Sequence, residues 1–165
     1  MNTELQALLE RRSIRSYKPD MVPQELIDQV IEAGLYAASG HGEQDSIIVA
    51  VTNKEVRDKL SQMNRAIMGT KSDTFYGAPV VLIVLAPKSN KNGIYDASLI
   101  MGNLMQAAHA VGLGSCWINR AKQEFESEEG KGTTFLIVLP DNGNVDVSVS
   151  SKPLSLPETS DNSVS

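Results

Sequence analysis

The segment Arg11-Arg12-Ser13-Ile14-Arg15-Ser16-Tyr17-Lys18 sets four cations and two serine hydroxyls within eight residues of a chain whose net charge is -5. Guanidinium groups present planar forks of N–H donors that match phosphate oxygens, and a neighbouring hydroxyl adds one more bond. The chemistry to expect of this cluster is the holding of an anion, a phosphate above all. Arg11 and Arg12 also fall at the end of a short helical pattern, where cations suit the helix dipole without any ligand. Arg15 and Lys18 lie past that helix, and the dipole does not account for them.

A second candidate is Ala37-Ala38-Ser39-Gly40-His41-Gly42, small and glycine-rich. Two glycines so close let a backbone pass near a planar ligand, or simply cap a helix and turn. The remaining reactive residues are sparse. One cysteine leaves no intrachain disulfide, in keeping with a reducing compartment. Cys116 precedes Trp117 in an apolar stretch and reads as a core residue. His41 reads as an exposed loop residue, and His109 as a hydrogen-bonded core or interface residue. These two histidines and the cysteine lack the ligand spacing of a zinc site, so no metal is expected. There is no Walker motif and no Gly-x-Gly-x-x-Gly.

Composition narrows the classes further. The acidic balance argues against nucleic-acid binding, which needs a broad basic face. The longest apolar run, Pro79–Pro87, is too short to span a bilayer. Glu4 and Gln6 stand where a signal peptide needs a basic end and an apolar stretch. The expectation is a cytoplasmic protein of one domain that binds neither nucleic acid nor membrane.

The elements that must position these residues follow from periodicity. Thr3 caps a first helix with Leu5, Leu8 and Leu9 on one stripe. Val22-Pro23 opens a second, which buries Leu26, Ile27, Val30, Ile31 and Leu35. Ile47–Thr52 is a β-branched strand. Asn53 caps a helix carrying Val56, Leu60 and Met63, and Asn64–Gly77 reads as irregular. Pro79–Ala86 is apolar throughout, as in a strand covered on both faces. After the polar turn Pro87–Gly93, Asp96 caps the longest helix, Ala97 to Val111. That helix is apolar nearly all round, so it is either central or shared with another subunit. Ser115–Ile118 and Thr133–Leu139 read as strands, and Asn119–Gly130 as a loop turning into an acidic helix. Val145, Val147 and Val149 alternate like an edge strand, and the last dozen residues read as disordered.

Three stretches, taken together, carry a resemblance. They are Arg11–Tyr17, then Ala37–Gln44 followed by a strand, then Tyr95–Gln106 leading into Gly112-Leu113-Gly114-Ser115-Cys116-Trp117-Ile118. Over about residues 1–130 the chain resembles the nitroreductase-like family of FMN-dependent oxidoreductases, in its compact form. The resemblance implies an α+β fold, a three-layer α/β/α sandwich with a mixed, mostly antiparallel central sheet. It implies an FMN-binding domain over 1–140 and a divergent, partly disordered tail over 141–165. Arg11, Arg12 and Ser13 would hold the FMN phosphate and ribityl oxygens, and Arg15 the pyrimidine end of the ring. Ala38, Ser39, Gly40 and Gln44 would contact the flavin bound mainly by the other subunit of a homodimer. The backbone amides of Asn119 and Arg120 would face the N5 and O4 edge.

The implied activity is NAD(P)H oxidation with reduction of nitroaromatic or quinone-type acceptors, by ping-pong hydride transfer through flavin N5. No side chain is required as acid or base. A non-catalytic FMN-binding protein is the alternative. Two departures from the family pattern bear on this choice. Gly42 stands where the family often has Asn, and Asp45-Ser46 where it has a Pro-Trp pair. After Gly130, Lys131-Gly132-Thr133-Thr134 breaks the expected helix, and Lys152 is the only later cation. A family subtype that ends differently and a shift of reading frame near Gly130 are both compatible with that pattern.

Overall fold

A computed structural model describes residues 3–119, 133–139 and 148–150 of the chain. The fold is built around strand β2 (Val80–Ala86), whose side chains point alternately to two faces. Val80, Leu82 and Val84 enter one apolar cluster and Val81 and Ile83 another, so both faces of the strand are covered. The neighbouring strands are β1 (Ile47–Val51) and β4 (Thr133–Leu139), with β3 (Cys116–Ile118) and β5 (Ser148–Ser150) at the edges of the described sheet. The order is β3-β4-β2-β1-β5, and each of these pairings is antiparallel. Among the described residues the parallel component is one isolated bridge, Ser13 to Ser115.

Helices α2 (Gln24–Leu35) and α4 (Gly93–Ala110) cover one face of the sheet. They contribute Ile27, Val30 and Ile31 from α2, and Ala97, Ile100, Met101, Leu104 and Ala108 from α4. Gly34 permits this approach: a Cβ there would lie 2.5 Å from Leu104 Cδ2. Helix α3 (Lys54–Met68) covers the other face through Leu60, beside Phe75, Ala78, Val51, Cys116 and Ile118. The result is the expected α/β/α layering. Each fully buried Val, Leu or Ile in these clusters contributes roughly 1.5–3 kcal/mol.

Several boundaries differ from the sequence expectation, each for a local reason. Pro23 sits at the N-cap of α2, just outside the first turn. Asn53 caps α3 as expected, accepting from Glu55 N and Val56 N at 2.8 and 3.1 Å. The helix does not stop at Met63, which is exposed; it continues to Met68 and ends where Gly69 takes φ 63°. Helix α4 begins at Gly93, a turn earlier than expected, with Asn92 at its N-cap. Asp96 therefore lies inside the first turn, and its side chain is engaged elsewhere. Helix α1 (Thr3–Glu10) buries none of its residues. The acidic helix expected before Gly130, together with Val145 and Val147, lies outside the described residues; Val149 is within β5.

Candidate functional site

The arginine segment leaves the C-terminal end of α1 and runs beside the connection between α4 and β3. Ile14 N donates to Ser115 O at 3.0 Å, and Ser13 bridges to Ser115. Gly114 eases this approach, since a Cβ there would lie 3.2 Å from three side-chain atoms of Ile14, which would have to give way. Tyr17 closes the segment by donating its hydroxyl to Ile14 O at 2.5 Å. Burial pushes the Tyr17 phenol well above its ordinary value, with Cys116 and Tyr76 adding to the effect, so it remains a neutral donor. The first and third of the sequence stretches are thus brought together by backbone bonds.

Within the segment the two leading arginines differ. Arg12 Nη1 donates to Leu9 O at 2.7 Å and Arg11 O at 2.8 Å, capping the carbonyls at the end of α1. Arg11 is half-buried, and its Nη1 is buried with no acceptor among the described residues. Ser13 and Arg15 are exposed. The donor set is two guanidinium groups at the segment's start, a hydroxyl, and a third cation two residues on, which suits a multiply charged oxyanion such as a phosphate.

The glycine-rich stretch lies at the opposite end of α4. Its 3-10 turn, Gly40–Gly42, follows α2 closely. Ala38 is exposed and Ser39 half-buried; Ser39 Oγ accepts from Gln44 N at 3.0 Å. Gln44 spends its side-chain amide on Leu35 O and Ala37 O, both at 3.2 Å, satisfying carbonyls that α2 leaves free. The Gln44 side chain thus shapes the loop. Gly40 N donates to Asp96 Oδ1 at 2.8 Å. Asn119 is exposed in a turn after β3, and Arg120 lies outside the described residues. Trp117 is half-buried and packs against the α2–α4 cluster, while Cys116 is buried in the other.

Two networks were not visible in the sequence. Asp96, expected to cap a helix, is buried and tied to the glycine loop. Arg57, on a helix that reads as amphipathic, is buried against Asp73. Burial by itself would raise the Asp73 carboxyl. Hydrogen bonds from Arg57, Ser61, Gly77 N and Phe75 N outweigh that and hold it at about 2. Arg57 also donates to Ala78 O at 2.8 Å and lies over the Phe75 ring, 5.4 Å from its centroid. Among the described residues no group of three or more His, Cys, Asp or Glu could hold a metal ion, and no helix is long and apolar enough to cross a membrane.

The model of the nitroreductase family matches residues 8–71 and 62–125, two overlapping segments that cover all three stretches. The chain belongs to the nitroreductase family. A Methanothermobacter thermautotrophicus relative, with the provisional name NADH dehydrogenase/NAD(P)H nitroreductase, is 32% identical over 117 residues, 68% of this chain and 59% of its own length. A Bacillus subtilis FMN reductase [NAD(P)H] is 29% identical over 141 residues, 70% of this chain and 53% of its own length. The chain therefore spans little more than half the length of these two relatives. The solved nitroreductase with bound FMN from Bacteroides fragilis superposes with a TM-score of 0.75, covering 97% of this chain and 98% of its own, at 21% identity. That likeness establishes the nitroreductase fold.

Proposed function

We propose that the chain is an FMN-dependent NAD(P)H oxidoreductase, with residues 1–140 as its flavin domain and two copies completing each flavin site. The observation that carries this reading is the arginine segment, fixed to Ser115 through its backbone, with one Arg11 guanidinium nitrogen buried and lacking an acceptor among the described residues. A buried donor left unsatisfied costs roughly 1–3 kcal/mol, and a phosphate oxygen supplies the acceptor it lacks.

FMN held here would supply hydride chemistry at N5, coupling NAD(P)H oxidation to reduction of a nitroaromatic or quinone-type acceptor. The residues of the chain bind and orient. Arg11, Arg12 and Ser13 hold the phosphate and the ribityl oxygens. Arg15 stands past them with a permanent charge, suited to stabilising negative charge at the pyrimidine end of the ring. Asn119, exposed in the turn after β3, offers a backbone N–H donor to the N5 and O4 edge, and the same role is assigned to Arg120. No side-chain acid or base is assigned.

Distance supports the second copy. The arginine segment is bonded just beyond the C-terminal end of α4, and the Ala38–Gln44 loop at its N-terminal end. An 18-residue helix is roughly 27 Å long, farther than one flavin reaches. Ala38, Ser39 and Gly40 meet a flavin only if it is held by a partner subunit, with Gln44 bracing their loop.

The test is a titration of flavin-free protein with FMN, followed by quenching of flavin fluorescence. The expected result is saturable uptake of about one FMN per chain, weakened in Arg11→Ala. A protein that takes up no FMN contradicts the reading.

A further inference from the structure

We infer that Asp96 and Asn90 are positioning residues, which clamp the Ser39–Asp45 loop in the shape that meets the partner subunit's flavin. This rests on the flavin reading above. The clamp has two arms. Asp96, 3% exposed, accepts from Gly40 N at 2.8 Å and from Asn90 Nδ2 at 3.1 Å. The same Asn90 nitrogen donates its other hydrogen to Asp45 Oδ1 at 3.0 Å. The front of the loop is therefore held by Asp96 and its rear by Asn90, and the two holders are bonded to each other. Asn90 is itself oriented, because its Oδ1 accepts from Asn92 N at 2.7 Å. Asp96 lies in the first turn of α4, where the helix dipole favours a negative charge.

The chain between the two arms is held in an unfavourable shape. His41 has φ 57° and Gln44 φ 47°, the left-handed region that residues with a side chain rarely adopt, and Gly42 lies between them at φ 68°. The seat is also tight: a Cβ on Gly40 would lie 2.3 Å from Asn92 Nδ2. A connection from α2 to β1 requires neither the strained residues nor a buried carboxylate. Such strain persists where surrounding bonds over-determine it, and it gathers at ligand-contacting segments. The clamp leaves His41 and Gly42 exposed at the tip while it fixes both ends of the loop.

The experiment compares wild-type protein with Asp96→Asn, Asn90→Ala and Asn53→Ala. Asp96→Asn keeps one oxygen for Gly40 but turns an amide donor toward the Asn90 donor, so one arm must release. Asn90→Ala frees the Asp45 arm and removes the bonds to Asp96 and from Asn92 N while leaving Gly40 on Asp96, and it stands in if Asp96→Asn does not fold. Asn53→Ala removes only the cap of α3 and controls for general loss of stability. Three readouts are taken: FMN affinity, the visible circular dichroism of bound flavin, and exchange of the Gly40 amide in flavin-free protein. We expect Asp96→Asn to weaken FMN binding by about tenfold or more, to alter the dichroism and to speed Gly40 exchange. Asn90→Ala should show a smaller change of the same kind, and Asn53→Ala none. Folded clamp variants with unchanged affinity and dichroism would overturn the clamp while leaving the flavin reading intact. So would equal changes in Asn53→Ala at matched thermal stability. A wild-type chain that takes up no FMN overturns both.

Discussion

At the scale of single residues, the arginines divide into separate jobs. Arg12 is occupied with the carbonyls of Leu9 and Arg11, whereas Arg11 keeps a buried nitrogen without an acceptor among the described residues. Truncating Arg11 should therefore weaken FMN binding by about 2–4 kcal/mol, the loss of charge-assisted bonds to a phosphate. Arg12→Ala should cost less affinity and also loosen the end of α1; both are read by flavin fluorescence and circular dichroism. Equal affinity in wild type and Arg11→Ala would return the cluster to a surface patch. The cluster was legible in the sequence because four cations stand out against an acidic chain. The roles within it were not, since both arginines look alike until the backbone around Leu9 is placed. Gln44 is a similar case: the family resemblance implied a ligand contact, and the structure shows its amide bonded to carbonyls near the end of α2.

At the scale of elements, the Arg57–Asp73 pair ties α3 to the segment that leads into β2. Ser61 Oγ, Phe75 N and Gly77 N all converge on the same carboxylate, at 2.6, 3.2 and 2.7 Å. Arg57→Ala leaves that carboxylate without its cation and should lower stability by about 3 kcal/mol, measured by urea unfolding. The pair also sets an acid limit. Asp73 is held at about 2, below its ordinary 3.8. A depressed carboxyl adds stability that is complete above the unfolded value and lost as pH falls through the folded one. Stability should drop between about pH 4 and pH 2, by on the order of 1 kcal/mol after allowing for solvent screening. Asp73→Asn should flatten that part of the profile, and an unchanged slope in this variant would exclude Asp73 as its source. The sequence could not supply this pair, because its partners are sixteen positions apart and a helical arginine reads as solvated. By contrast β2, α2 and the Asn53 cap were all readable, since each depends on local pattern. The start of α4 was misplaced because Asp96 looked like a cap, while its real partners are Gly40 and Asn90.

At the scale of the whole molecule, the described helices leave large apolar side chains exposed. Leu8 and Leu9 on α1 are 55% and 62% exposed, and Tyr95 and Leu99 on α4 are 70% and 51% exposed. Helix α1 packs against α4. Nothing among the described residues covers these side chains, and the proposed dimer would cover them with a second copy while bringing the Ala38–Gln44 loop to the partner's flavin. Sedimentation should give a dimer, and Leu8→Glu with Leu9→Glu should shift it toward monomer and release flavin. A flavin-loaded monomer would rule out the shared site. The central claim is that the bound flavin turns over, and one measurement tests it most directly. FMN-loaded protein is mixed anaerobically with NADH or NADPH in a stopped-flow instrument, and the flavin absorbance is followed. The account predicts that the absorbance bleaches and returns when a quinone or nitroaromatic is added. Flavin that stays oxidised in excess of both nucleotides would contradict it and leave a flavin-binding protein without the activity.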